Sequence, residues 1–454
     1  MTENNDIPIL IGTSTPEDEI SQKGVPKVDQ RSFAGALSQL GTFYASSMAD
    51  TSGNQRDEDA MTRISAIASV PGGLDEYRRL EAGRAFNVLN DTYFLPTDDD
   101  EFTRLNKQHT GFTVALGGLY PAAGVVDAIL AQREGYTPKV LDLGCGTGVW
   151  TLAMSKEFPH CQFVGIDLAP VPIEAENVPS NCRFELDDIN NGLAHFHNSF
   201  DIIHTRLIAG GIRDFRKSKE DIEKCLKPGG IVLWIEGDYD MLSPDRIHYQ
   251  PPASDSHPDG SWFGRLTFEA RRAAVAFGRS DLDTMMEVLS AGLWDDPLLD
   301  SETCQAADLF VPVGPWVTDN DKAEAQRLMY VGALFRQDFM SGHRAFHAGL
   351  MKVGLSAETL NSWSDRADEE MKIFSKPVWT RFICAWGRRR AGPRQPAPPL
   401  PTQIASNNPG DYKLGPYKSF VVYKSAEQTR RANEERNRTK TFQHPPLPPA
   451  LQGQ

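Results

Sequence analysis

A glycine-rich turn between a candidate strand and a candidate helix constrains the fold of this chain more than any other feature. Lys139–Leu143 is a short apolar run typical of a buried strand, and Trp150–Phe158 carries helix-forming residues. Between them a glycine stands at every second position, at Gly144, Gly146 and Gly148. Because glycine has no Cβ, the backbone can bend sharply here and a ligand can lie directly against it. We therefore expect an α/β fold with a ligand on this turn.

Acidic residues at the ends of three candidate strands indicate the kind of ligand. Asp142 lies two residues before the first glycine, where a carboxylate would repel a pyrophosphate and would suit a cation such as an α-ammonium group. Asp167 ends the second candidate strand, and its carboxylate can accept two hydrogen bonds from a ribose diol, each worth about 1.5–3 kcal/mol. Asp187 and Asp188 follow the third, where they can accept from the amine of adenine. Because ligands of open α/β sheets bind at the strand ends, these acids predict a nucleoside site.

The motif Asp-x-Gly-x-Gly-x-Gly, with an acid after each of the next two strands, resembles the class I S-adenosylmethionine-dependent methyltransferases. The resemblance implies S-adenosyl-L-methionine as the cofactor. It also implies a Rossmann-like α/β fold with a seven-stranded, mostly parallel sheet whose last strand is antiparallel. The resemblance implies a set of cofactor-binding residues for each part of the cofactor. For the methionine part they are Asp142, Gly144, Cys145, Gly146, Thr147 and Gly148. For the ribose they are Asp167 and Leu168, and for adenine they are Asp187, Asp188 and Ile189. A nicotinamide-dependent enzyme, whose fingerprint is G-x-G-x-x-G, and a glycine turn with incidental acids are the alternatives.

Further segments narrow the family, namely Tyr93–His109, Pro179–Glu185, Phe200–Arg206, Leu226–Gly230 and Pro312–Trp316. Together they resemble the LaeA-like methyltransferases of filamentous fungi over roughly residues 75 to 390. Tyr93–His109 is the specific part of this resemblance, since the core motifs are shared by methyltransferases in general. Trp234–Asp238 departs from the acid-rich run that we would expect after the fifth strand.

Composition divides the chain into four segments. Residues 1–70 are rich in Ser, Thr, Asp, Glu and Gly and are expected to be disordered. Residues 71–135 are expected to form a helical N-terminal cover, with one helix at Asp75–Arg84 and another capped by Thr97 or Asp98. Residues 136–390 are the methyltransferase domain, with a helical insertion at about 312–376 before the last strand. Residues 391–454 are basic and Pro-rich and are expected to be a disordered tail.

Local patterns predict the remaining elements of the domain. Pro228–Gly230 predicts a tight turn into the fifth strand, and Trp262–Leu289 predicts a helical region ending near Gly292. Asp321–Met371 predicts two or three helices, and the apolar run Pro377–Trp386 predicts the last strand.

Charge and cysteine content exclude several classes of protein. The formal net charge of −14 argues against direct binding of nucleic acid. Six cysteines are scattered without a Cys-x-x-Cys pair, which indicates a reduced, intracellular protein without a metal site. The N-terminus lacks the pattern of a signal peptide, and no apolar run reaches the ~18 residues of a membrane span. We therefore expect a protein of the nucleus or cytoplasm that binds no membrane, with Arg388–Arg390 and Arg430–Arg431 as candidate nuclear-import signals.

Methyl transfer from a sulfonium is an in-line displacement in which the enzyme mainly positions two partners. Effective molarity can account for about 7–11 kcal/mol of the barrier, and a base is needed only for a protonated acceptor. His204 after the fourth strand, together with His109 and Tyr93 of the cover, are the candidate catalytic residues. Arg206 is the candidate for binding a carboxylate of the cofactor or of the acceptor. A structural hydrogen bond is the alternative role for each of the four.

Three functions are compatible with these residues. The LaeA-like resemblance and the basic tail favour a methyltransferase regulator of fungal secondary metabolism, with a protein acceptor and regulatory protein partners bound through its tails. Aromatic residues of the insertion favour instead a pathway enzyme that methylates a small natural product, and these are Trp316, Phe335, Phe339, Phe346 and Trp363. The third is a cofactor-binding regulatory module without turnover, although the intact glycines and Asp167 argue against a dead site.

Overall fold

The computed structural model describes residues 74–255, 257–276, 278–401 and 417–440. Its strands are β1 (Arg78–Glu81), β2 (Arg84–Asn87), β3 (Lys139–Leu143), β4 (Gln162–Asp167), β5 (Cys182–Leu186), β6 (Phe200–Arg206), β7 (Leu226–Gly237), β8 (Leu299–Pro312), β9 (Trp379–Arg389) and β10 (Phe420–Tyr423). Its helices are α1 (Asp99–Leu116), α2 (Ala123–Leu130), α3 (Val149–Glu157), α4 (Phe215–Lys224), α5 (Trp262–Ala276), α6 (Leu282–Ala291), α7 (Lys322–Ala345), α8 (His347–Lys352), α9 (Ala357–Ile373) and α10 (Ala426–Arg438). The prediction of disorder for residues 1–70 lies outside the described residues.

Eight of the strands form one sheet in the order β10-β8-β9-β7-β6-β3-β4-β5. Strands β3 to β7 are mutually parallel, whereas β9 lies between β7 and β8 and is antiparallel to both. The Rossmann-like class I methyltransferase fold is thus confirmed. The strand order reverses between β3 and β6, so the carboxyl ends of the central strands border one crevice, where open α/β sheets bind ligands.

Residues of the central strands alternate between two hydrophobic layers, one on each face of the sheet. Leu141 of β3 packs in the layer that contains Phe215 of α4. Its neighbour Val140 packs in the opposite layer, with Phe112 of α1 and Trp150 of α3. A strand buried on both faces reads as a continuous apolar run, which is why Lys139–Leu143 could be recognised from the sequence.

Residues 417–440 correct two predictions. The sheet has eight strands rather than seven, and this part of the tail is ordered. Strand β10 pairs antiparallel with the outer edge of β8 and becomes the eighth strand. Helix α10 follows it, and Nη1 of Arg436 lies 2.8 Å from Oδ2 of the buried Asp308. The average composition of the tail concealed a short apolar run, Phe420–Tyr423, for which β8 offers an open edge. For residues 402–416 and 441–454 disorder stays a prediction, outside the described residues.

The start of the N-terminal cover is also not the helix predicted at Asp75–Arg84. A short 3₁₀ turn is followed by a hairpin of β1 and β2, whose two-residue turn is Ala82 (φ +49°) and Gly83 (φ +78°). Two successive residues in the left-handed region end a helix and favour a tight hairpin. The second helix was predicted correctly, since the Asp98 side chain accepts from the backbone N–H of Glu101 and begins α1.

Two further elements differ from the sequence expectations. Strand β7 already begins at Leu226, so Pro228–Gly230 lies within it at an irregularity in its pairing with β6, rather than in a turn before it. Gly229 has φ +85°, which allows the chain to bulge without leaving the sheet. The helical region predicted at Trp262–Leu289 is split into α5 and α6, with Arg279 at φ +58° between them.

The insertion contains the predicted helices, which are α7, α8 and α9. Phe335 of α7 packs edge-on against Phe112 of α1, with ring centres 5.3 Å apart. Phe339, one turn later, lies 4.9 Å from Phe263 of α5. The insertion therefore packs on both the N-terminal cover and α5, above the carboxyl ends of the strands. None of the helices in the described ranges has the length and apolarity that crossing a membrane requires.

Arg388, the first residue of a candidate nuclear-import signal, is part of the fold. Its side chain is buried, and its guanidinium donates to the carbonyl oxygens of Gly229 (3.0 Å) and Pro398 (2.6 Å). The structure therefore argues against Arg388–Arg390 as an accessible signal. Arg430 and Arg431, by contrast, are exposed on α10.

Candidate active site

A cavity of about 260 Å³ opens at the carboxyl ends of the central strands. Its walls come from the glycine turn after β3, the ends of β4, β6 and β7, the N-terminal cover, α5 and α7. Most of the predicted site residues line it, and these are Tyr93, Asp142, Gly144, Cys145, Gly146, Thr147, Asp167, Leu168, Asp187, Asp188, Ile189, His204 and Arg206. Gly148 and His109 lie behind this wall.

The glycine turn has the conformation that its sequence requires. Gly144 (φ +66°) and Gly148 (φ +73°) are in the left-handed region, and a Cβ at Gly148 would lie 2.8 Å from the ring of Phe184. The hydroxyl of Thr147 donates to Oδ1 of Asn106 at 2.7 Å, which ties the turn to α1. The side chain of Cys145 is buried against Phe184. The turn is therefore fixed by packing on one side and bare on the other.

Asp167 lies directly against this turn. Its Oδ2 accepts from the backbone N–H of Gly146 at 2.8 Å, and its Oδ1 accepts from that of Ala169 at 3.1 Å. Burial raises the pKa of this carboxyl above its usual range. A carboxylate has about four acceptor positions, so two remain for hydroxyl groups of a ligand in the cavity.

The two acids after β5 have different surroundings. Asp187 is partly exposed, and Oδ1 of its carboxylate accepts from the backbone N–H of Asp188 at 2.8 Å. Asp188 is buried, and its Oδ1 accepts from the backbone N–H of Asn190 at 3.0 Å and from the amide of Asn90 at 3.2 Å. Asn90 belongs to the N-terminal cover and also donates to the carbonyl of Gly211 at 3.0 Å. Asp188 therefore attaches the cover to the sheet as well as lining the cavity.

Asp142 and His204 form a buried pair beneath the turn. Nδ1 of His204 lies 2.8 Å from Oδ1 of Asp142, and the hydroxyl of Thr151 donates to Oδ2 at 2.6 Å. The imidazole is stacked on Trp150 with ring centres 3.8 Å apart, and no described residue is a partner of its Nε2. Burial lowers the pKa of His204, so its ring is neutral at neutral pH. The carboxylate of Asp142, which the sequence predicted as a partner for an α-ammonium group, therefore already accepts two hydrogen bonds within the protein.

Arg206 is a cation in the cavity wall without an acidic partner among the described residues. Its Nη2 lies 3.4 Å from Nδ1 of His109, and its guanidinium is 5.2 Å from the centre of the Phe112 ring. Burial lowers the pKa of Arg206 to about 10. Burial and the charge of Arg206 also lower the pKa of His109 well below its usual range. His109 therefore does not line the cavity. It lies beside Arg206 and supports the guanidinium.

Tyr93 and Glu236 line the cavity near the loop after β6. Burial raises the pKa of the Tyr93 phenol, so it stays protonated. Glu236 accepts from the backbone N–H groups of Ile208 and Ala209 at 2.9 and 3.1 Å, and burial raises its pKa to about 8. The segment Trp234–Asp238, whose register was uncertain from the sequence, therefore supplies the acid that holds this loop.

The far end of the cavity combines Phe339 and Phe346, which the sequence analysis had singled out, with residues that it did not identify as a site. Phe263, Phe339 and Phe346 contribute aromatic walls, and Arg104 and Asp338 contribute charged ones. Nη1 of Arg104 lies 2.6 Å from Oδ1 of Asp338, and its Nε donates to Glu101 at 2.9 Å. The three-residue spacing of Glu101 and Arg104 within one helix could have indicated their pairing. Nothing local predicts Asp338, which lies more than two hundred residues away.

The charges in the wall favour a cationic ligand. The charged groups that line the cavity are six carboxylates and two guanidiniums, namely Asp142, Asp167, Asp187, Asp188, Asp238 and Asp338, with Arg104 and Arg206. Glu236 also lines it, but its carboxyl group keeps its proton at neutral pH. Arg104 is paired with Asp338. Arg206, at the end of β6, is therefore the position at which a ligand carboxylate would be favoured. In the described part of the chain, no three acidic, histidine or cysteine side chains are grouped as metal ligands would be.

Comparison with known proteins identifies the family. A family model described as a methyltransferase domain matches residues 137–257, which include β3 to β7. The secondary metabolism regulator laeA of Coprinopsis cinerea is 29% identical over 85% of this chain and 95% of its own length. The secondary metabolism regulator of Cochliobolus heterostrophus is 32% identical over 58% of this chain and 79% of its own length.

A third relative, the protein-methionine methyltransferase laeA of Emericella nidulans, is 27% identical over 54% of this chain, and the match spans 60% of that protein. The sheet order, the glycine turn and these similarities agree with one another. The chain belongs to the LaeA-like family of class I methyltransferases.

Proposed function

We propose that the cavity binds S-adenosyl-L-methionine, with its adenosyl part at Asp167 and Asp187 and its methionine part at the glycine turn. The observation that carries this proposal is the hydrogen bond from the backbone N–H of Gly146 to Asp167, because it holds the carboxylate that we propose to bind ribose directly against the bare turn. The acidic wall suits the sulfonium and ammonium charges of this cofactor, and Arg206 suits its carboxylate.

The cofactor would supply an electrophilic methyl group, and the protein would supply its position and surroundings. Asp142 and His204 hold the turn against β6, and Glu236 holds the loop after β6. Tyr93 covers the cavity from the N-terminal segment. Because burial keeps the phenol of Tyr93 protonated, Tyr93 can donate or accept a hydrogen bond without adding charge to the site. The neutral ring of His204 donates to Asp142 through Nδ1, so only its Nε2 remains, as an acceptor.

The cellular role that we propose is regulation of fungal secondary metabolism by methylation of a protein. The relatives from C. cinerea and C. heterostrophus are named regulators of secondary metabolism, and the relative from E. nidulans is named a protein-methionine methyltransferase. A nuclear or cytoplasmic location and protein partners bound through the terminal segments are part of this proposal.

A second candidate, methylation of a small natural product, is favoured by one observation. Phe263 of α5 and two residues of the insertion, Phe339 and Phe346, line the cavity with aromatic rings. Such a wall suits a small planar molecule. A third candidate, cofactor binding without turnover, uses the same residues but requires no acceptor.

Isotope labelling separates the three candidates. Full-length protein and S-[methyl-³H]adenosyl-L-methionine are incubated with the protein fraction and, separately, with the small-molecule fraction of a fungal extract. Label in the protein fraction supports the regulator, and label in the small-molecule fraction supports the pathway enzyme. If calorimetry shows cofactor binding but neither fraction is labelled above a Gly146→Glu control, turnover is not the function.

A further inference from the structure

A row of four buried charged side chains joins the cavity wall to the C-terminal helix. Nη2 of Arg381 on β9 donates at 2.8 Å to Oδ2 of Asp238, a cavity-lining residue directly after β7. Nη1 of the same guanidinium donates to Oδ1 of Asp308 on β8 at 3.1 Å. Oδ2 of Asp308 lies 2.8 Å from Nη1 of Arg436 on α10. The four side chains are at most 7% exposed, and their charges alternate in sign along the row.

The C-terminal segment, residues 417–440, also contacts the loop after β7 directly. Oδ1 of Asp238 accepts from the backbone N–H of Asp240 at 3.1 Å, and Nζ of Lys440 donates to Oδ2 of Asp240 at 2.5 Å. Further along the loop, Nη1 of Arg246 donates to the carbonyl oxygen of Lys418 at 2.7 Å. The segment therefore holds this loop both through the buried row and through contacts of its own.

The part of the loop that lines the cavity lies away from the residues proposed to bind the adenosyl group. In the strand order β7-β6-β3-β4-β5, Asp167 at the end of β4 is three strands from β7, about 14 Å at the usual strand spacing. The hydroxyl of Thr267 on α5 lies 2.9 Å from the carbonyl oxygen of Tyr239, and Met241 packs in one cluster with Phe263 of α5. We call this far end of the cavity the acceptor end, and its loop residues the acceptor wall, which consists of Asp238, Tyr239 and Met241.

Stability alone does not require a buried row of charges at this place. Removing an ion from water costs several kcal/mol, and apolar residues of similar volume can often replace a buried ion pair without loss of stability. A paired guanidinium provides a defined geometry instead, because its donors leave in fixed directions. Arg381 donates to acids on both sides of β9, so the row determines where the chain after β7 lies relative to β8, β9 and α10.

We propose that the C-terminal segment positions the acceptor wall for methyl transfer. Arg436 acts through the buried row on Asp238, and Lys440 acts on Asp240. Both are positioning residues, since neither is assigned a contact with the cofactor or with the acceptor. This inference rests on the proposed function, because the wall must face a methyl acceptor bound beside the cofactor. Transfer then depends on residues 417–440, which lie outside the part of the chain that matches the methyltransferase domain.

Hydrogen–deuterium exchange of the full-length protein measures how firmly the acceptor wall is held. In Arg436→Met, the amides of residues 238–242 should exchange at least about tenfold faster, because the buried row loses its terminal cation. Arg436→Lys keeps a cation beside Asp308 and should restore most of the protection. Lys440→Met should accelerate exchange of the same amides, and it provides a second variant if Arg436→Met does not fold. The amides of the glycine turn, residues 144–148, should exchange as in wild type.

Arg388→Met is the matched control for a general loss of stability. Arg388 is also a buried arginine of β9, and its guanidinium donates to the carbonyl oxygens of Gly229 and Pro398. It lies seven residues after Arg381, about 24 Å along an extended strand. Arg388→Met should lower the stability in urea without accelerating exchange of residues 238–242.

The consequence for transfer is measured with the protein fraction of a fungal extract as the acceptor. At saturating S-[methyl-³H]adenosyl-L-methionine, Arg436→Met should label this fraction at least about tenfold more slowly than wild type, because a displaced wall misplaces the acceptor. The affinity for S-adenosylhomocysteine, measured by calorimetry, should stay within about twofold of wild type. Arg436→Lys should restore most of the labelling rate, whereas Arg388→Met should label as wild type does.

Unchanged exchange of residues 238–242 in Arg436→Met and in Lys440→Met overturns the proposal. Equal acceleration in Arg388→Met also overturns it, because the effect is then one of general stability. An unchanged labelling rate in a variant with accelerated exchange, or an equal loss of labelling and of S-adenosylhomocysteine affinity, contradicts a role at the acceptor wall. Absence of labelling by wild type would instead contradict the proposed function, and the exchange data still decide whether the segment holds the wall.

Discussion

Replacement of Arg206 by methionine should have opposite effects on stability and on cofactor binding. The guanidinium is enclosed in the cavity wall and has no acidic partner in the described part of the chain. Lowering its pKa from 12.5 to about 10 corresponds to about 3 kcal/mol against the charged form in the folded protein. This penalty applies at neutral pH, since the unfolded chain binds the proton more tightly. Arg206→Met removes the charge and keeps much of the apolar stem, so we expect the free energy of unfolding to rise by about 1–3 kcal/mol.

The same substitution removes the proposed partner of the cofactor carboxylate. A hydrogen bond between charged groups contributes about 1.5–3 kcal/mol, so the affinity for S-adenosyl-L-methionine should fall about 10- to 150-fold. Isothermal titration calorimetry with this compound and with its decarboxylated analogue isolates the effect. Wild type should prefer the carboxylated form, and Arg206→Met should bind both with similar affinity.

Arg183→Met is the matched control for Arg206, since Arg183 is a half-exposed arginine of β5 paired with Glu185. It should change neither property measurably. Our account of Arg206 is refuted if Arg206→Met weakens the binding of both compounds equally, or if denaturant unfolding shows the variant to be less stable than wild type.

Three further substitutions test other parts of the account. Asp167→Ala should weaken binding of S-adenosylhomocysteine at least 100-fold by calorimetry, because about two charged hydrogen bonds to ribose are lost. Glu236→Gln should flatten the pH dependence of stability. The folded protein holds the Glu236 proton up to about pH 8, whereas the unfolded chain loses it near pH ~4.5. The wild-type free energy of unfolding therefore falls as the pH rises from about 5 to 8, and Glu236 accounts for up to about 5 kcal/mol of this fall. Arg436→Met should lower the free energy of unfolding by about 1–3 kcal/mol in urea denaturation, because it leaves buried Asp308 with fewer donors.

Each of these has a control in the chain. Asp321 also accepts from backbone N–H groups, at the start of α7, and Asp321→Ala should leave cofactor binding intact. For Glu236→Gln, parallel pH profiles of variant and wild type would contradict the proton assigned to this carboxyl. Arg438 is exposed on the same helix as Arg436, so an Arg438→Met variant that is as destabilised as Arg436→Met would show that the buried pair is not responsible.

The parts of the fold that local chemistry determines were predictable from the sequence. The glycine turn and Asp167 were identified because turn geometry and strand ends are encoded within a few residues. The helix beginning at Asp98 was recognised from its capping residue and acidic first turn. These features define the cofactor end of the cavity.

The acceptor end could not be predicted, because its polar residues meet only in the tertiary structure. Arg104 and Asp338 are neighbours across α1 and α7, and Asp238 is paired with Arg381 of β9. For the same reason, composition suggested a disordered tail, whereas β10 is ordered by the edge of β8. The roles of His204, Tyr93 and His109 in transfer stay predictions.

A crystal structure of the full-length protein with S-adenosylhomocysteine tests the central claim most directly. We predict that the ribose hydroxyls lie within hydrogen-bonding distance of Asp167, that adenine lies beside Asp187–Ile189, and that the carboxylate contacts Arg206. The sulfur should then face the aromatic end of the cavity. Density for the compound at another place, or within this cavity but turned away from Asp167, would contradict the account.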